Sequence, residues 1–382
     1  MRGMRRIVIR WRQLIENIVM SEIYFFPAQH GDAFLIHCEK GVEEGWVVVD
    51  GGPSRKKNQS VFLQEVENLP QIDLMVLTHH DDDHIEGIRT YVNMHKGDNP
   101  FPVKKLWVNC ARHIDFQTGG DMSAAHASSL AETLSKIQKD NEIKWCDYII
   151  DDTDTGDINF ADIEILSPSV DILKKYIIEY EKRIGMEVTP EELPLTAEQE
   201  ANDLNVSLEE LAKRPKTLPS EANYSHLVNM VSITFILRCD DLSVLMLGDC
   251  FPKQIEDALT AKGYSKENKL HVDFVKVAHH GSRANISNEL LDMIDCTNYL
   301  LSTNGGQGRS YHPTREALAN IICHPGRDRN EKVHLHFNYT LRSIADKNGF
   351  KLFNEGEECN YNFEIHEPDE NTEGSHYRAT RY

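Results

Sequence analysis

The sequence predicts a layered α/β fold in which β-sheets lie between helices. Short runs of β-branched and aromatic residues alternate along the chain with segments whose apolar residues recur at helical spacing. Glycine-containing turns separate the first strands, as expected for neighbouring strands of one sheet. With 382 residues, the chain can bury a large core, either as one domain with insertions or as two smaller domains.

Each strand is predicted from a short apolar run that ends at turn residues or charged residues. In chain order the strands are EIYFFPA, AFLIHCEK, GWVVVDGG, IDLMVLTH, VKKLWVN, WCDYIID, ADIEILSP, SITFILRCD, LSVLMLGD, VDFVKVAHH and NYLLST. The helices are predicted from apolar periodicity and from helix-starting residues. They are SVFLQEVENL, HIEGIRTYVNMHK, SAAHASSLAETLSKIQKDN, residues 252–262, and two segments that begin at Ile286 and Pro313.

One charged, helical segment interrupts this alternation. Residues 170–223 contain proline-led acidic turns and little core pattern, which indicates an insertion. A lid, a partner-binding arm and a passive solvated excursion are all open for it. Residues 21–366 are expected to form the main domain, with an N-terminal extension over 1–20 and a disordered tail over 367–382.

Composition restricts the partners and the cellular location. The formal net charge of −20 repels phosphate backbones at long range, which argues against a protein that coats nucleic acid. A local site remains compatible with this charge where metal ions supply positive charge. No apolar run is long enough for a bilayer, and residues 1–20 lack a secretory cleavage pattern. The eight scattered cysteines contain no CxxC pair, which favours reduced thiols in a cytoplasm.

The stretch VLTHHDDDHIEG, residues 76–87, predicts a metal site. The apolar strand before Thr78 is expected to be buried, so the polar cluster falls at the rim of a sheet where a helix begins. His79, Asp81, Asp83 and His84 form the pattern HxDxDH. Residues two apart project together from extended backbone, and a turn brings the last pair alongside. The set can therefore hold two cations through imidazole nitrogen and carboxylate oxygen, whereas a solvated acidic turn needs no histidine at each end.

This stretch resembles the metallo-β-lactamase fold signature, THxHxDHxxG, with Asp81 in place of the usual second histidine. That replacement is typical of the ComEC-type competence-protein hydrolase branch. Six further stretches are similar to that branch in the same order, over roughly residues 22–320: FFPAQHGDAFLIHC, VVVDGG, NMVSITFIL, LMLGD, VKVAHHGS and LLSTNGGQGRSYHP. The resemblance implies a four-layer αββα sandwich with a helical insertion, and two divalent metal ions (Mn²⁺, Zn²⁺ or Mg²⁺).

The resemblance also implies roles for residues outside the first motif. Asp249 would bridge the two metals, and His279 would complete the ligand set of Asp83 and His84. From extended backbone two adjacent side chains point apart, so His280 is expected to line the pocket instead. The residues expected to take part in catalysis are Asp83, Asp249, His280 and His312.

Other residues are expected around the reacting groups. Asp50 would orient a ligating histidine through its second ring nitrogen. Ser282 would bind a phosphate oxygen, and Arg309 would neutralise charge there. His312 would protonate a leaving group or bind phosphate. A pocket-facing position and no role are both open for His30, and Asp32 is expected to fix its turn.

One departure from the family pattern concerns the first metal. Where many members supply a further histidine, this chain reads ILSPS, and the spacing does not select among His113, His126 and His226 as substitutes. The first metal would then hold only His79, Asp81, Asp249 and waters. An oxygen-rich set of this kind suits Mn²⁺ or Mg²⁺ better than zinc.

The sequence therefore predicts a metal-dependent hydrolase, with a phosphodiesterase or nuclease favoured because the HHGS and His-Pro elements offer phosphate donors. One alternative is a hydrolase of small esters, lactones or cyclic nucleotides. An alternative of another class is a regulatory module with structural metals that binds a protein partner through the helical insertion.

Overall fold

Two seven-stranded mixed sheets form the centre of the structure, a computed structural model that describes residues 20–53, 56–109, 122–140, 143–183, 204–216, 219–306, 311–369 and 377–379. The strands of the first sheet are β1 (Glu22–Phe25), β2 (Phe34–Lys40), β3 (Glu43–Val49), β4 (Leu74–Leu77), β5 (Lys105–Val108), β6 (Lys144–Cys146) and β16 (Tyr377–Ala379). Those of the second are β7 (Asp162–Ser167), β8 (Thr234–Arg238), β9 (Ser243–Met246), β11 (Phe274–Lys276), β13 (Asn298–Leu301), β14 (Val333–Phe337) and β15 (Phe363–His366). A short pair, β10 (Leu270–His271) and β12 (Ile294–Asp295), lies beside them.

Strand order places the ends of β4, β9 and β11 near the middle of the two sheets. The first sheet has the order β16-β1-β2-β3-β4-β5-β6 and the second the order β15-β14-β13-β11-β9-β8-β7. From β3 to β6 and from β15 to β9 neighbouring strands are parallel, so their carboxyl ends share an edge. Loops that follow parallel strands at such an edge are where α/β proteins place their sites.

The helices lie outside the two sheets. They are α1 (Lys56–Glu67), α2 (Asp82–His95), α3 (Met122–Asp140), α4 (Val170–Arg183), α5 (Leu208–Leu211), α6 (Tyr224–Met230), α7 (Pro252–Ala261), α8 (Asn288–Asp292), α9 (Arg315–Ile322), α10 (Leu341–Asn348) and α11 (Glu357–Tyr361). Two short 3₁₀ turns, Ala278–Gly281 and Arg283–Asn285, follow β11.

Alternation along the strands explains the layers. In β3, Val47 and Val49 enter the core between the sheets, while Val48 packs under the helices of the first sheet. In β8, Phe235 enters the same central core and Ile236 packs under the helices of the second sheet. Because both faces of each sheet are covered, apolar residues occupy both strand faces. The result is the predicted four-layer αββα sandwich.

The described parts of the predicted insertion are packed against the domain. Helix α4 and the following α6 share a buried cluster that includes Tyr176, Leu227 and Phe251. Leu208 and Leu211 of α5 are fully buried in the core of the second sheet. A solvated excursion therefore does not describe these segments, while residues 184–203 lie outside the described residues.

The C-terminal region differs from the sequence prediction. Residues 377–379 form β16, which pairs antiparallel with β1, so the prediction of a disordered tail is wrong for these three residues. Residues 323–366, which the sequence left without predicted elements, contain β14, α10, α11 and β15. The predicted extension lies, except for Met20, outside the described residues. Among the described helices, none has the length and apolar character that a bilayer crossing requires.

Candidate metal centre

Four imidazole rings direct their Nε2 atoms at Oδ2 of Asp249. The distances are 3.5 Å for His84, 3.6 Å for His279 and His280, and 4.0 Å for His79. Two ligand atoms that share a cation at about 2.0–2.1 Å lie roughly 3.3 Å apart. The distances between the ring nitrogens and the carboxylate oxygen are therefore too long for hydrogen bonds. They are close to the distances between ligand atoms that surround one cation.

Strand ends bring these residues together. His79 follows the buried strand β4, and His84 lies in the first turn of α2, at the rim where the sequence placed them. Asp249 follows β9, and the two remaining histidines follow β11. Asp81 occupies the position before α2, but its side chain does not cap the helix; Oδ2 lies 3.5 Å from Nε2 of His79 instead.

Asp50 holds the back of one ligating ring. It adopts a left-handed backbone with φ of 57°, and its Oδ2 accepts from Nδ1 of His84 at 2.8 Å. The amide and the hydroxyl of Thr78 donate to the two carboxylate oxygens at 2.8 and 2.7 Å. Because the Thr78 hydroxyl donates to Asp50, it can accept from Nδ1 of His79 at 3.1 Å. Both rings thus keep Nδ1 protonated and present Nε2 to the centre.

The other two rings are fixed in the same sense. Nδ1 of His280 donates to the carbonyl of Ser302 at 2.9 Å. Nδ1 of His279 lies 3.2 Å from Oδ1 of Asn285, whose amide nitrogen donates to the carbonyl of Asp249 at 3.0 Å and so turns its oxygen toward the ring. All four imidazoles therefore have the tautomer that a cation at Nε2 requires.

The inward atoms have no hydrogen-bond partner in the described part of the chain. This applies to Nε2 of His79, His84 and His280 and to Oδ1 of Asp249, all of them buried. A buried polar atom without a partner costs roughly 1–3 kcal/mol. Ligation of a cation would satisfy these atoms together, so the residues fit the pair of divalent ions that the sequence predicts.

The carboxylates divide the centre into two halves. Asp83 Oδ1 lies 4.0 Å from Nε2 of His84, and its Oδ2 lies 3.5 Å from Nε2 of His280. These three residues form one compact potential ligand group, and His79, His84 and Asp249 form another. Oδ2 of Asp249 lies 4.0 Å from Nε2 of His79 and 3.6 Å from Nε2 of His280, so it is near a histidine of each group.

The expected division of roles, with His279 as the ligand and His280 lining the pocket, does not hold, because both rings face Asp249. The structure places His280, rather than His279, beside Asp83 and His84. The prediction assumed extended backbone, but φ is 48° at His279 and 55° at His280, both left-handed. A left-handed pair of residues turns both rings toward Asp249, which an extended strand could not do.

A buried lysine, which the sequence analysis missed, supports the centre. Lys276 is fully buried; its Nζ donates to the carbonyl of Gly248 at 2.9 Å, lies 3.6 Å from Oδ1 of Asp249 and is bonded to Asp32. Asp32 also approaches Nδ1 of His280 at 3.3 Å, so it does more than fix its turn. The available signal was a lysine at an inward position of the apolar stretch VDFVKVAHH, two residues after the core residue Phe274.

Helix α6 contributes two further groups that had been assigned no role. The side-chain amide of Asn229 lies 3.4 Å from Nδ1 of His279, and its oxygen rather than its NH₂ group must face that nitrogen when the ring presents Nε2 to the centre. Ser232, just beyond the helix, accepts from the amide of Asp249 at 3.1 Å and lies 3.3 Å from Nδ1 of His79. The N-x-x-S pattern thus reaches both sides of the centre.

Charges within the centre shift its pKa values strongly. Burial raises the pKa of Asp249, but the rings of His279 and His280 outweigh it and leave the pKa well below its usual range. Burial lowers the pKa of His280, but Asp249 and Asp32 raise it to about 9. Without metal, the carboxylates therefore favour the protonated forms of His84 and His280, and a bound cation would replace those protons.

The remaining predicted residues lie at different distances from the centre. His312 is buried, with its ring centroid 5.2 Å from that of His279, and Ser282 is buried two residues after His280. His30 is close enough to Asp83 for the carboxylate to raise its pKa, although burial dominates and lowers it to about 4. Arg309 lies outside the described residues.

None of the proposed substitute histidines is placed in the centre by the described contacts. His226 accepts from the amide of Ser220 at 3.0 Å and packs edge-on against Phe251. His113 lies outside the described residues, as does the side chain of His126 in α3.

No protein-family model and no curated protein matches this chain. Similar solved structures include a protein described as a metal-dependent hydrolase from Parabacteroides distasonis (12% identity, 91% of this chain and 93% of that chain, TM-score 0.35). Zn²⁺-bound PqqB from Methylobacterium extorquens is also similar (12% identity, 90% of this chain and 86% of that chain, TM-score 0.35). So is a long-form RNase Z from yeast (11% identity, 94% of this chain and 41% of that chain, TM-score 0.35). The chain spans about half (54%) of a CmlA β-hydroxylase variant, at 10% identity. Such values assign neither a substrate nor a metal.

Proposed function

We propose that this chain is a metal-dependent hydrolase of phosphodiesters, with nucleic acid as its substrate. The observation that supports it is the convergence of four Nε2 atoms on Asp249, each ring being held from behind at Nδ1. Structural histidines in a core have no need for a common tautomer and a common target. A pair of cations accounts for both.

The adjacent histidines supply one ring to each half of the centre in this proposal. Nε2 of His279 and Nε2 of His79 lie 3.6 and 4.0 Å from the same oxygen of Asp249, while Nε2 of His280 lies beside Asp83. The proposed ligands are His79, Asp81 and His279 for the first ion, Asp83, His84 and His280 for the second, and Asp249 for both. The first ion then has two imidazoles rather than one, and zinc suits it as well as manganese does.

Bound divalent ions would supply a water of lowered pKa and positive charge for an anionic transition state. The chain's own groups prepare the site for that chemistry. Asp50 keeps His84 in the required tautomer, and Lys276 offsets part of the negative charge of Asp32 and Asp249. Burial of these groups keeps the arrangement rigid and limits competing water.

Phosphate donors lie on one rim of the centre. The amide of Thr314 donates to the carbonyl of Gly281 at 2.9 Å, which joins the turn after His280 to the turn after His312. The ring of His312 lies beside that of His279, with centroids 5.2 Å apart, and Ser282 follows Gly281 in the turn that this bond holds. We propose that the Ser282 hydroxyl and the His312 ring donate to the non-bridging oxygens of a phosphodiester, which lactones and simple esters lack.

A small phosphodiester is the second candidate, and the net charge of −20 favours it. Long polyanions are repelled by such a surface, whereas a substrate with a single charge is repelled much less. The same donors and the same ions would serve both substrates.

The test is cleavage of single- and double-stranded DNA, RNA and bis-p-nitrophenyl phosphate with Mn²⁺, Zn²⁺, Co²⁺ or Mg²⁺. We expect metal-dependent cleavage that falls by at least about 10³-fold in Asp249→Ala, because both ions lose a ligand. Asp346→Ala is the matched control, since that carboxylate is exposed and pairs only loosely with Arg342 at 4.0 Å.

The outcomes separate the candidates. Polymer cleavage lost in Asp249→Ala supports a nuclease, and cleavage of the small diester alone supports the second candidate. Stoichiometric metal binding without hydrolysis of any diester contradicts the proposal and favours a binding module with structural metals.

A further inference from the structure

A second group of potential metal ligands lies on the edge strand β15 and its neighbour β14. The strands run parallel, with His334 beside Glu364 and His336 beside His366. Two strands, β13 and β11, separate them from β9, which leads to Asp249. This group therefore belongs to neither half of the centre described above.

Alternation shows which face carries the group. Val333, Leu335 and Phe337 of β14 are buried in the core under the helices of the second sheet. His334 and His336 consequently point to the opposite face, toward the first sheet, and His336 meets Phe274 of the central core edge-on. An inter-sheet face is expected to be apolar, yet here it carries three imidazoles and a carboxylate.

The potential ligand atoms are already close together. Nδ1 of His334 lies 2.9 Å from Nε2 of His366. One atom each from His334, Glu364 and His366 can be chosen so that all lie within 4.8 Å of one another. Ligands of one zinc ion are separated by roughly 3.3 Å, so the two rings need to part by only a few tenths of an ångström.

The neighbouring ring fixes the orientation of His366. His336 stacks on it with centroids 4.7 Å apart and an interplanar angle of 20°. His336 donates from Nε2 to Oδ1 of Asn298 at 3.2 Å, and Nδ2 of Asn298 donates to the carbonyl of Asp273 at 3.2 Å. A ring held in this way presents its nitrogen in a defined direction, as metal sites require.

The protonation states are compatible with ligation. Burial lowers the pKa of His334 and of His366, and it lowers the pKa of His336 to about 3. Neutral imidazole is the form that binds a metal. Glu364 is ionised beside Lys332, whose hydrogen bond lowers the pKa of the carboxyl.

We propose that His334, Glu364 and His366 bind one zinc ion, with water in the fourth position. Two imidazoles and one carboxylate form a set that zinc accepts in tetrahedral geometry. The ion would join the outermost strand, β15, to β14 and would displace Lys332, whose Nζ lies 2.8 Å from Oε2 of Glu364.

The test counts zinc per chain by mass spectrometry after dialysis against buffered micromolar zinc. It uses the parent chain and a variant whose main centre is disabled by Asp83→Ala and Asp249→Ala. In both backgrounds we expect His366→Gln and Glu364→Gln each to remove one zinc. His271→Gln is the matched control, because that exposed histidine pairs with Asp295 at 3.0 Å on a separate strand pair.

A second variant tests whether Lys332 competes with zinc for Glu364. Lys332 and Glu364 are both about half exposed, and ion pairs at such positions are weak. Lys332→Gln removes the cation that competes with zinc and should tighten zinc binding by about 1.4- to 5-fold. Co²⁺ added to the disabled background should give visible absorption of low-symmetry four- or five-coordination, absent in Glu364→Gln.

Three results would overturn the proposal. The first is an unchanged zinc count in both Glu364→Gln and His366→Gln, and the second is weaker zinc binding in Lys332→Gln. The third is a dissociation constant in the millimolar range, which would indicate an adventitious ion only. Circular dichroism checks that each variant is folded. Because Glu364 is half exposed, Glu364→Gln keeps the test valid should His366→Gln fail to fold.

Discussion

At the scale of single residues, the centre combines backbone strain with ligand geometry. Left-handed backbone outside glycine occurs at Asp50, His279 and His280, and each instance costs roughly 1–3 kcal/mol. Glycine would relieve that strain, but it would also remove a carboxylate or an imidazole that faces the centre. The strain is therefore explained by the side chains that these positions must present.

Asp50→Asn tests the tautomer argument. Asp50 accepts from the amide and hydroxyl of Thr78 and from Nδ1 of His84, whereas an asparagine side chain has one oxygen and one NH₂ group. Its NH₂ group would favour a His84 protonated at Nε2, which cannot bind a cation there. We expect metal affinity to fall by about 10- to 100-fold, measured by competition with a chelator.

Asp273→Asn is the matched control for this change. Asp273 accepts from the amide and hydroxyl of Ser243 at 2.7 and 2.8 Å, so it loses similar bonds away from the centre. Equal metal affinities in the Asp50 and Asp273 variants would contradict the proposed role of Asp50.

Lys276→Met tests the charge balance of the centre. Without Lys276, Asp32 and Asp249 lose a buried cation, and breaking a buried ion pair costs roughly 3–5 kcal/mol. Divalent ions restore positive charge nearby. We therefore expect the free energy of unfolding to fall most in chelator and to recover in part when metal is added, as measured by denaturant titration.

Lys105→Met provides the comparison. Lys105 is also buried, but it pairs with Asp157 rather than with a carboxylate of the centre. The Lys105→Met variant should lose the same free energy of unfolding in chelator as in metal. A Lys276 variant that shows no metal-dependent recovery would contradict the charge argument.

At the scale of elements, α4 and α6 form one side of the centre. The hydroxyl of Tyr176 in α4 lies 2.9 Å from Nδ1 of His80, the residue next to the ligand His79. Asn229 of α6 reaches His279. Helix α4, which lies within the segment predicted as an insertion, and α6, which directly follows that segment, are therefore parts of the wall around the candidate metal centre.

Tyr176→Ala should be costly for this reason. The side chain is 1% exposed and lies in the cluster that joins the two helices, and replacing a buried aromatic ring by alanine typically costs about 3–5 kcal/mol. Ile178→Ala is the control on the same helix, because Ile178 is 51% exposed. Urea unfolding measures the stability of both variants. Equal free energies of unfolding would contradict the packing argument.

The sequence predicted the other strands before β14 because they carry strong local signals, but it missed the two-residue strands β10 and β12. The apolar run LMVL before the polar cluster forms β4, and the run SVLM shortly before Asp249 forms β9. The last strands were missed because β14 reads VHLHF, whose alternating histidines hide the apolar face, and because β16 depends on pairing with β1 across the whole chain.

The residues that form the site were easier to predict than the directions in which their side chains point. The motif residues His79, Asp83, His84 and Asp249 were found from spacing and family resemblance, and they converge. The assignment of His279 and His280 failed because left-handed backbone cannot be read from two consecutive histidines. Lys276 was missed because a lysine in a strand is usually exposed, and only the fold shows that both faces of β11 are covered.

At the scale of the whole molecule, the net charge of −20 acts on any charged substrate before it reaches the centre. Such a charge lowers the rate at which a polyanion approaches, and salt weakens the repulsion. The screening length falls from about 30 Å at 0.01 M salt to about 10 Å at 0.1 M. Proteins with basic nucleic-acid sites behave in the opposite way, because salt weakens their binding.

Salt dependence should therefore distinguish the two candidate substrates. For an oligonucleotide, we expect kcat/KM to rise by about 3- to 10-fold between 0.01 and 0.1 M potassium chloride, because repulsion of the polyanion is screened. For bis-p-nitrophenyl phosphate, which has one charge, the change should stay within about twofold. Both substrates are assayed at one saturating metal concentration, so that metal occupancy does not change with salt. A fall in oligonucleotide cleavage with rising salt would show that a local basic track, rather than the acidic surface, governs the approach of the substrate.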